Sequence, residues 1–199
     1  MTVPDAAVDA CCLINLLAAG PSLLPFPTRR RGKKTSGTAT QHPHHLGLTL
    51  HVPAKVDQET LYLLQPNPDD AATLIPTEID LAPYLEAGLV HRCDLQGEPE
   101  TELFIRLAVS LDDGEAAGLA IAKCRGWLLA TDDRKARNLS SQLGVTVITT
   151  PQLVRRWANH SRAPAKTIAD VLRSIQRFAR FAPHHSAPQY RWWMNHLAP

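Results

Sequence analysis

The feature that most constrains the fold is a regular alternation of short apolar segments with helical segments. Strands are predicted at residues 6–11, 46–52, 88–92, 127–131 and 145–148. Helices are predicted at residues 12–19, 53–64, 77–87, 101–110, 112–124 and 132–143, and from residue 151 onward. Strands that alternate with helices at this spacing favour a parallel sheet covered on both faces. The predicted fold class is therefore α/β, a parallel β-sheet flanked by helices.

The chain divides into two predicted regions. Its 199 residues suit one main domain with an appendage. We expect the main domain at residues 1–157, with a long loop inserted at about 21–45, and a second loop at 66–76. Residues 158–199 form a C-terminal helical extension, because apolar side chains recur at helical intervals over residues 167–181. The tryptophans at 192 and 193 are expected to pack this tail onto the domain rather than to stack on bases.

Charge is distributed unevenly along the chain. Residues 1–150 carry 13 Lys and Arg against 18 Asp and Glu, whereas residues 151–199 carry eight basic residues against one acid. An acidic body with a basic tail is compatible with a metal-using enzyme that acts on a polyanion. A charge run alone is usually only a solvated face, so charge does not decide the function.

The sequence also indicates in which cellular compartment the protein resides. The longest uncharged stretch, residues 10–27, contains Asn15 and is interrupted by Gly and Pro, so no membrane span and no membrane partner are expected. The first residues include Asp5 and lack a basic segment, which argues against a secretory signal. The four cysteines show no CxxC pairing and are interpreted as buried thiols. We therefore expect a cytoplasmic protein.

Acidic residues follow the predicted strands at several places. Asp9 closes the first strand, and Glu59 lies on the helix after the second. Glu115 lies in the first turn of the helix that enters the fourth strand, and Asp132 and Asp133 follow that strand. Chemistry in an open parallel sheet gathers at the carboxyl ends of the strands. Carboxylates crowded there need protons or a divalent cation, and oxygen ligands favour Mg²⁺ or Mn²⁺, which could activate water for attack on a phosphodiester.

Each acid also has an ordinary structural explanation. Glu115 completes a capping-box pattern with Asp112. Either acid of the pair at 132–133 could cap the next helix, and Glu59 could face solvent. Asp9 is the hardest to explain in this way, since a carboxylate flanked by apolar residues is partly buried and needs a partner or a metal.

Segments in this order resemble the successive motifs of PIN domains. They are residues 8–16 (VDACCLINL), 52–59 (VPAKVDQE), 111–122 (LDDGEAAGLAIA), 128–137 (LLATDDRKAR) and 144–148 (GVTVI). The resemblance covers roughly residues 5–157. It implies a Rossmann-like parallel sheet and a metal-dependent ribonuclease that hydrolyses RNA with Mg²⁺ or Mn²⁺.

The resemblance also implies roles for particular residues. By position, the metal-binding and catalytic acids would be Asp9, Glu59, Glu115 and Asp132 or Asp133, with Thr131 as a hydrogen-bonding residue beside them. Many small PIN proteins are toxins neutralised by an antitoxin protein, and they commonly form homodimers. This chain departs from the family in having Ala10 and Cys11 where Thr or Ser often follows the first Asp, and in its basic loop and tail.

Other functions fit less well or remain open. A phosphatase that uses an aspartyl intermediate would need an acid at position 11, which is Cys, and dinucleotide binding would need glycines after the first strand. The rival that stays open is a catalytically weak or inactive PIN-like module that binds RNA or a protein. In either case the candidates for contact with RNA phosphates are Arg29, Arg30, Arg31, Lys33, Lys34, Arg155 and Arg156.

Overall fold

The computed structural model describes residues 3–24, 46–59 and 61–198. The predicted basic loop at residues 29–34, with Arg29, Arg30, Arg31, Lys33 and Lys34, lies outside the described residues. The RNA contacts assigned to this loop therefore stay predictions.

The described residues contain strands and helices in alternation. The strands are β1 (Asp5–Val8), β2 (Thr49–Pro53), β3 (Tyr62–Asn67), β4 (Asp70–Glu78), β5 (His91–Cys93), β6 (Leu128–Ala130) and β7 (Val147–Ile148). The α-helices are α1 (Ala10–Ala18), α2 (Ala54–Asp57), α3 (Ala82–Glu86), α4 (Gly97–Ala108), α5 (Asp113–Arg125), α6 (Arg134–Leu143), α7 (Thr150–Ser161), α8 (Ala165–Ser174) and α9 (Tyr190–Leu197). A π-helical segment (Ile175–Ala179) continues α8.

Five of these strands form a parallel sheet in the order β5-β2-β1-β6-β7. The register places Ala7 beside both His51 of β2 and Leu129 of β6. From β1 the strand order runs in one direction through β2 to β5, and in the other direction through β6 to β7. The strand order therefore reverses between β1 and β6. Such a reversal opens a crevice at the carboxyl ends of the two strands. The predicted α/β fold class is confirmed.

Helices cover both faces of this sheet, as alternation along β1 requires. Ala6 and Val8 belong to a core cluster with buried side chains of α1, α7, α8 and α9. Ala7 points to the other face, into a cluster with buried side chains of α4, α5 and α6. A parallel sheet buried on both faces needs apolar residues at consecutive positions, which β1 supplies.

The C-terminal extension packs into the first of these clusters. Leu172 of α8 and Trp193 of α9 are completely buried there, and Phe181 meets Trp193 edge to face with ring centroids 5.9 Å apart. The expected packing of the aromatic tail is thus observed for Trp193. The domain boundary proposed after residue 157 falls inside α7, and the division into two regions stays a prediction.

The region between α2 and α3 differs from the prediction. The helix predicted from residue 53 ends with α2 at Asp57 instead of residue 64, and the loop predicted at 66–76 is wrong, because β3 and β4 form an antiparallel hairpin there. The turn is built by Asn67, whose Oδ1 accepts the Asp69 N–H at 3.0 Å. Thr77, expected to begin a helix, lies in β4 instead. None of the helices in the described ranges is both long and apolar enough to cross a membrane.

Candidate active site

Asp9 lies where β1 ends and α1 begins. Its backbone N–H donates to the carbonyl of Ala130 on the neighbouring strand β6 at 3.1 Å, and its Oδ1 caps α1 by accepting the Cys12 N–H at 2.8 Å. The Cys11 thiol lies 3.1 Å from both carboxylate oxygens. Asp9 is only 2% exposed. The chain therefore buries a carboxylate at the carboxyl end of the central strand and holds it there by a helix N-terminus.

Asp132 reaches the same place from β6. Its Oδ1 accepts the Thr150 N–H at 3.0 Å, and its Oδ2 accepts a hydrogen bond from Asn15 Nδ2 at 3.2 Å and one from the Cys12 thiol at 3.3 Å. Asn15 also donates to Thr150 Oγ1 at 3.0 Å. Both oxygens of Asp132 are thus fixed in orientation by side chains of α1 and by the first residue of α7.

Asp133 is the N-cap of α6, a role for which the sequence left both Asp132 and Asp133 open. Its Oδ1 accepts the Ala136 N–H at 2.7 Å as the N-cap of α6, and its own N–H donates to Thr131 Oγ1 at 3.0 Å. Thr131 is completely buried. A capping bond therefore accounts for Asp133 but not for Asp132.

Glu115 approaches the two aspartates from the first turn of α5. Within the described part of the chain, the side chain of the N-cap residue Asp112 accepts no hydrogen bond from this turn, so its half of the capping box is not formed. Burial raises the pKa of Glu115 from 4.5 to about 7, and the charges of Asp133, Asp9 and Asp112 add to the rise. Glu115 therefore lies in the electrostatic reach of Asp9 and Asp133.

The pKa of Asp9 is also raised, as that of Glu115 is. Burial raises it from 3.8 to about 6, against the hydrogen bonds from Thr131, the Cys12 N–H and Cys11, and the charge of Asp132 raises it further. Among the residues that the structure describes, no Lys, Arg or His forms an ion pair with Asp9, Glu115, Asp132 or Asp133. The structure thus brings these four predicted acids into one acid cluster, while within the described residues the ligand atoms that all lie within 4.8 Å of one another belong to Asp9, Cys11 and Cys12.

Glu59 lies at the margin of this cluster. It follows α2 rather than lying on it, and it is exposed. Its carboxylate lies against Gly114 in the first turn of α5, where a Cβ would collide with Oε1. Burial raises its pKa, and so do the charges of Asp112 and Asp113, but Asp9 and Glu115 are not among the causes. Glu59 therefore lies beside the start of α5, where the acids that influence it are Asp112 and Asp113 and not Asp9 or Asp132.

Sequence reasoning missed the residues that hold Asp132. Asn15 is 3% exposed and Thr150 is completely buried. The available signal was an amide inside the apolar helix α1, at position 15. Asp9, Cys12 and Asn15 follow one another at intervals of three, which places them along one face of a helix.

The basic candidates have different surroundings. Arg155 is exposed and lines a cleft of about 740 Å³ beside β7, together with Gln152, Asn159 and His160. Arg156 also borders this cleft, but its guanidinium donates to the carbonyls of Leu46 and Gly47 at 2.7 and 3.0 Å. Arg156 therefore fixes the chain before β2, while Arg155 faces the cleft.

Comparison with known proteins identifies the family. A family model, DUF3368, described as a PIN domain, matches residues 77–185. No curated protein and no solved structure gives a significant match. The matched segment carries Glu115, Thr131, Asp132 and Asp133, while Asp9 and Glu59 precede it. Because the match spans more than half of the chain and the sheet and acid cluster fit it, this chain belongs to the PIN-domain family.

Proposed function

We propose that this protein is a divalent-metal-dependent endoribonuclease that hydrolyses RNA phosphodiester bonds. PIN domains are generally nucleases, and the family assignment supports a hydrolase of that kind. The observation that carries the proposal is the gathering of Asp9, Glu115, Asp132 and Asp133 at the crevice between β1 and β6 with no basic partner among the described residues. Asp9 is buried and the other three are half-buried. Carboxylates crowded in this way without a basic partner cost free energy of folding, and a divalent cation would offset that cost.

The donor set fits Mg²⁺ or Mn²⁺. Asp9, Glu115 and Asp132 offer carboxylate oxygens, with Asp133 beside them and Glu59 at the margin as a further acid. Carboxylate oxygens and water are the ligands these hard cations prefer. A bound cation of this type supplies water activation at neutral pH and charge stabilisation of the leaving oxygen.

The chain's own residues hold and orient the acids. The Cys12 N–H and Thr131 fix Asp9, while Asn15 and the Thr150 N–H fix Asp132. Such hydrogen bonds orient the carboxylates before a ligand arrives and so lower the cost of binding it. Glu115, which approaches from α5 rather than from a strand end, is the acid that we assign to accept a proton from the attacking water.

RNA contact is assigned to basic residues outside the acid cluster. Arg155 faces the cleft along β7, which is lined by residues of β6, β7 and α7 and by none of the acids of the site. A guanidinium there suits phosphate oxygens. Arg156 is the weaker candidate, since its guanidinium is engaged by carbonyls. Arg29, Arg30, Arg31, Lys33 and Lys34 are kept as candidates on sequence alone.

We also propose that the protein is the toxin of a toxin–antitoxin pair. This proposal rests on the resemblance, because many small PIN proteins are toxins that bind an antitoxin protein and form homodimers. We expect induced expression to arrest growth, and the Asp9→Asn variant to lack this effect. Growth unaffected by an active nuclease would contradict the toxin role and leave the nuclease intact.

The nuclease itself is tested with labelled single-stranded RNA. The full chain is incubated with Mn²⁺ or Mg²⁺, with and without EDTA, beside Asp9→Asn and a control, Asp69→Asn, on the exposed hairpin turn. We expect EDTA and Asp9→Asn to reduce cleavage by about a thousandfold, which corresponds to about 4 kcal/mol, and Asp69→Asn to cleave normally. Cleavage that survives EDTA and Asp9→Asn would overturn the proposal. Salt-dependent binding without cleavage would favour the inactive RNA-binding module instead.

A further inference from the structure

Two thiols lie inside the acid cluster and are not needed for a hard cation. Cys11 is half-buried and Cys12 is completely buried, both in the first turn of α1. Their sulfur atoms and a carboxylate oxygen of Asp9 all lie within 4.8 Å of one another. Mg²⁺ does not use sulfur ligands, so the proposed nuclease chemistry leaves these two side chains without a role beyond hydrogen bonding.

We propose that Asp9, Cys11 and Cys12 form a binding site for one thiophilic divalent cation of the Zn²⁺ class, with the fourth coordination position left to water. The site uses Asp9, so its occupation excludes the hard cation from that carboxylate. The exclusion rests on the proposed function, whereas the thiophilic site stands on its own geometry.

The distances between the donor atoms support binding by these three side chains. Cys11 Sγ is 3.1 Å from both oxygens of Asp9, and the Cys12 sulfur lies within 4.8 Å of both partners. In a tetrahedral site with Zn–S of about 2.3 Å and Zn–O of about 2.1 Å, a sulfur and an oxygen are about 3.6 Å apart. Cys11 and Asp9 therefore need to separate by only about half an ångström to reach that spacing.

The chemistry of these contacts is consistent with the exchange of protons for a metal. Each thiol now donates its proton to a carboxylate oxygen. A bound Zn²⁺ would take the place of those two protons, releasing them to solvent while the two sulfurs become thiolate ligands. Cys11 and Asp132 are partly exposed, so the ion has a path from solvent.

The site can be tested with Cd²⁺ alone, because cadmium thiolates absorb in the ultraviolet and carboxylates and histidines do not add to that absorption. The reduced, metal-free full chain is titrated with Cd²⁺ under argon. We expect the absorbance to saturate at about one equivalent, as one tetrahedral site requires. Cys11→Ser, on the half-buried side of the helix, should lose at least about half of this absorbance, and Cys12→Ser is the second variant.

Cys124→Ser is the matched control. Cys124 is exposed near the end of α5, away from the first turn of α1, so its loss should leave the cadmium absorbance unchanged. An absence of thiolate absorption, or absorption that persists in Cys11→Ser and disappears in Cys124→Ser, would overturn the inference.

Failure of this inference differs from failure of the proposed nuclease. Mg²⁺-dependent cleavage by a chain without thiolate absorption would overturn the thiophilic site and leave the nuclease. Thiolate absorption in a chain that cleaves no RNA would support the site and overturn the nuclease. When both hold, Cd²⁺ should abolish cleavage in the wild type and inhibit Cys11→Ser at least about tenfold more weakly.

Discussion

Glu100 and Glu115 occupy matching places, the first turns of α4 and α5, but their surroundings are opposite. Glu100 is 5% exposed, and its two oxygens accept hydrogen bonds from Arg125 at 2.7 and 2.9 Å. Burial raises its pKa, but the hydrogen bonds from Arg125 and from the Gln96 N–H outweigh it, so the pKa lies below its ordinary value. Glu115 meets further acids instead, and its pKa is raised to about 7.

The charged form of Glu100 stabilises the fold, whereas the charged form of Glu115 destabilises it. An acid whose charge is matched by a guanidinium contributes to stability as the charged form. An acid among other acids is destabilised as the charged form until a cation arrives. The same contrast applies to Asp9, which is buried without a basic partner among the described residues. Substitutions of these acids and of the residues that contact them test the difference between Glu100 and Glu115.

Among the changes that test the contrast between the two glutamates, Glu115→Gln has the largest expected effect on RNA cleavage. Removal of this carboxylate takes away a ligand and the proposed proton acceptor, so activity should fall about 100- to 1,000-fold. The protein should remain folded, because neutral Gln relieves the repulsion from Asp133 and Asp9. RNA cleavage and urea unfolding measure the two effects. Glu98→Gln, on the exposed side of the start of α4, is the control and should change neither.

Glu100→Gln should show the reverse pattern. It leaves the Arg125 guanidinium, whose side chain is 19% exposed, without its carboxylate. We expect the free energy of unfolding to drop by about 2–4 kcal/mol, with little change in cleavage per folded molecule. Urea unfolding followed by circular dichroism measures the loss. If Glu100→Gln abolished cleavage without destabilising the chain, the contrast between the two glutamates would be wrong.

Asn15→Ala tests whether orientation of Asp132 matters to the site. The change removes the amide that donates to Asp132 Oδ2 and to Thr150 Oγ1. We expect cleavage to fall about 10- to 100-fold, as is usual when a residue that orients a metal ligand is removed. Asn138→Ala, on the exposed face of α6, should cleave like the wild type. Equal activity of the two variants would show that Asp132 needs no support from Asn15.

The smallest effect is on stability as a function of pH. The folded-state pKa values of Asp9 and Glu115, about 6 and about 7, are higher than their ordinary values of 3.8 and 4.5. Their contribution to stability is therefore greatest below about pH 4 and is lost as the pH rises to about 7. Glu100 acts with the opposite sign, in a lower pH range, because its pKa is lowered.

In EDTA, we expect Asp9→Asn to be more stable than the wild type at pH 8 by about 1–3 kcal/mol, and the difference to vanish near pH 4. Urea unfolding at several pH values measures it. Mg²⁺ should raise the stability of the wild type at pH 8 and leave that of Asp9→Asn unchanged. A difference independent of pH would show that the charge of Asp9 carries no cost in the fold.

Much of the sheet and part of the site could be predicted from the sequence. Asp9 and Asp132 each follow a short apolar run, and adjacent parallel strands end at the same edge, so their meeting follows from the strand pattern. The signal was clear because β1 and β6 are apolar on both faces. Glu115 was a candidate from its place in the helix that enters the fourth strand, but that pattern equally suited a helix cap, and the resemblance implied its metal-binding role.

The remainder depends on contacts between residues distant in sequence. The sequence around Thr150 says nothing of Asp132 or of Asn15, 135 positions away. The β3–β4 hairpin was missed because a run of apolar residues at 61–64 is equally compatible with the end of a helix. Arg156 looked available for RNA, but its bonds to Leu46 and Gly47 arise only when α7 packs beside the start of β2.

The central claim is that acids from separate parts of the chain hold one hard cation, and Mn²⁺ binding tests it most directly. In a titration of the metal-free full chain, the electron paramagnetic resonance signal of free Mn²⁺ reports the unbound ion. The account predicts that the wild type and Asp69→Asn bind alike, and that Asp9→Asn and Glu115→Gln each bind at least about tenfold more weakly. Equal Mn²⁺ affinity in all four proteins would contradict it.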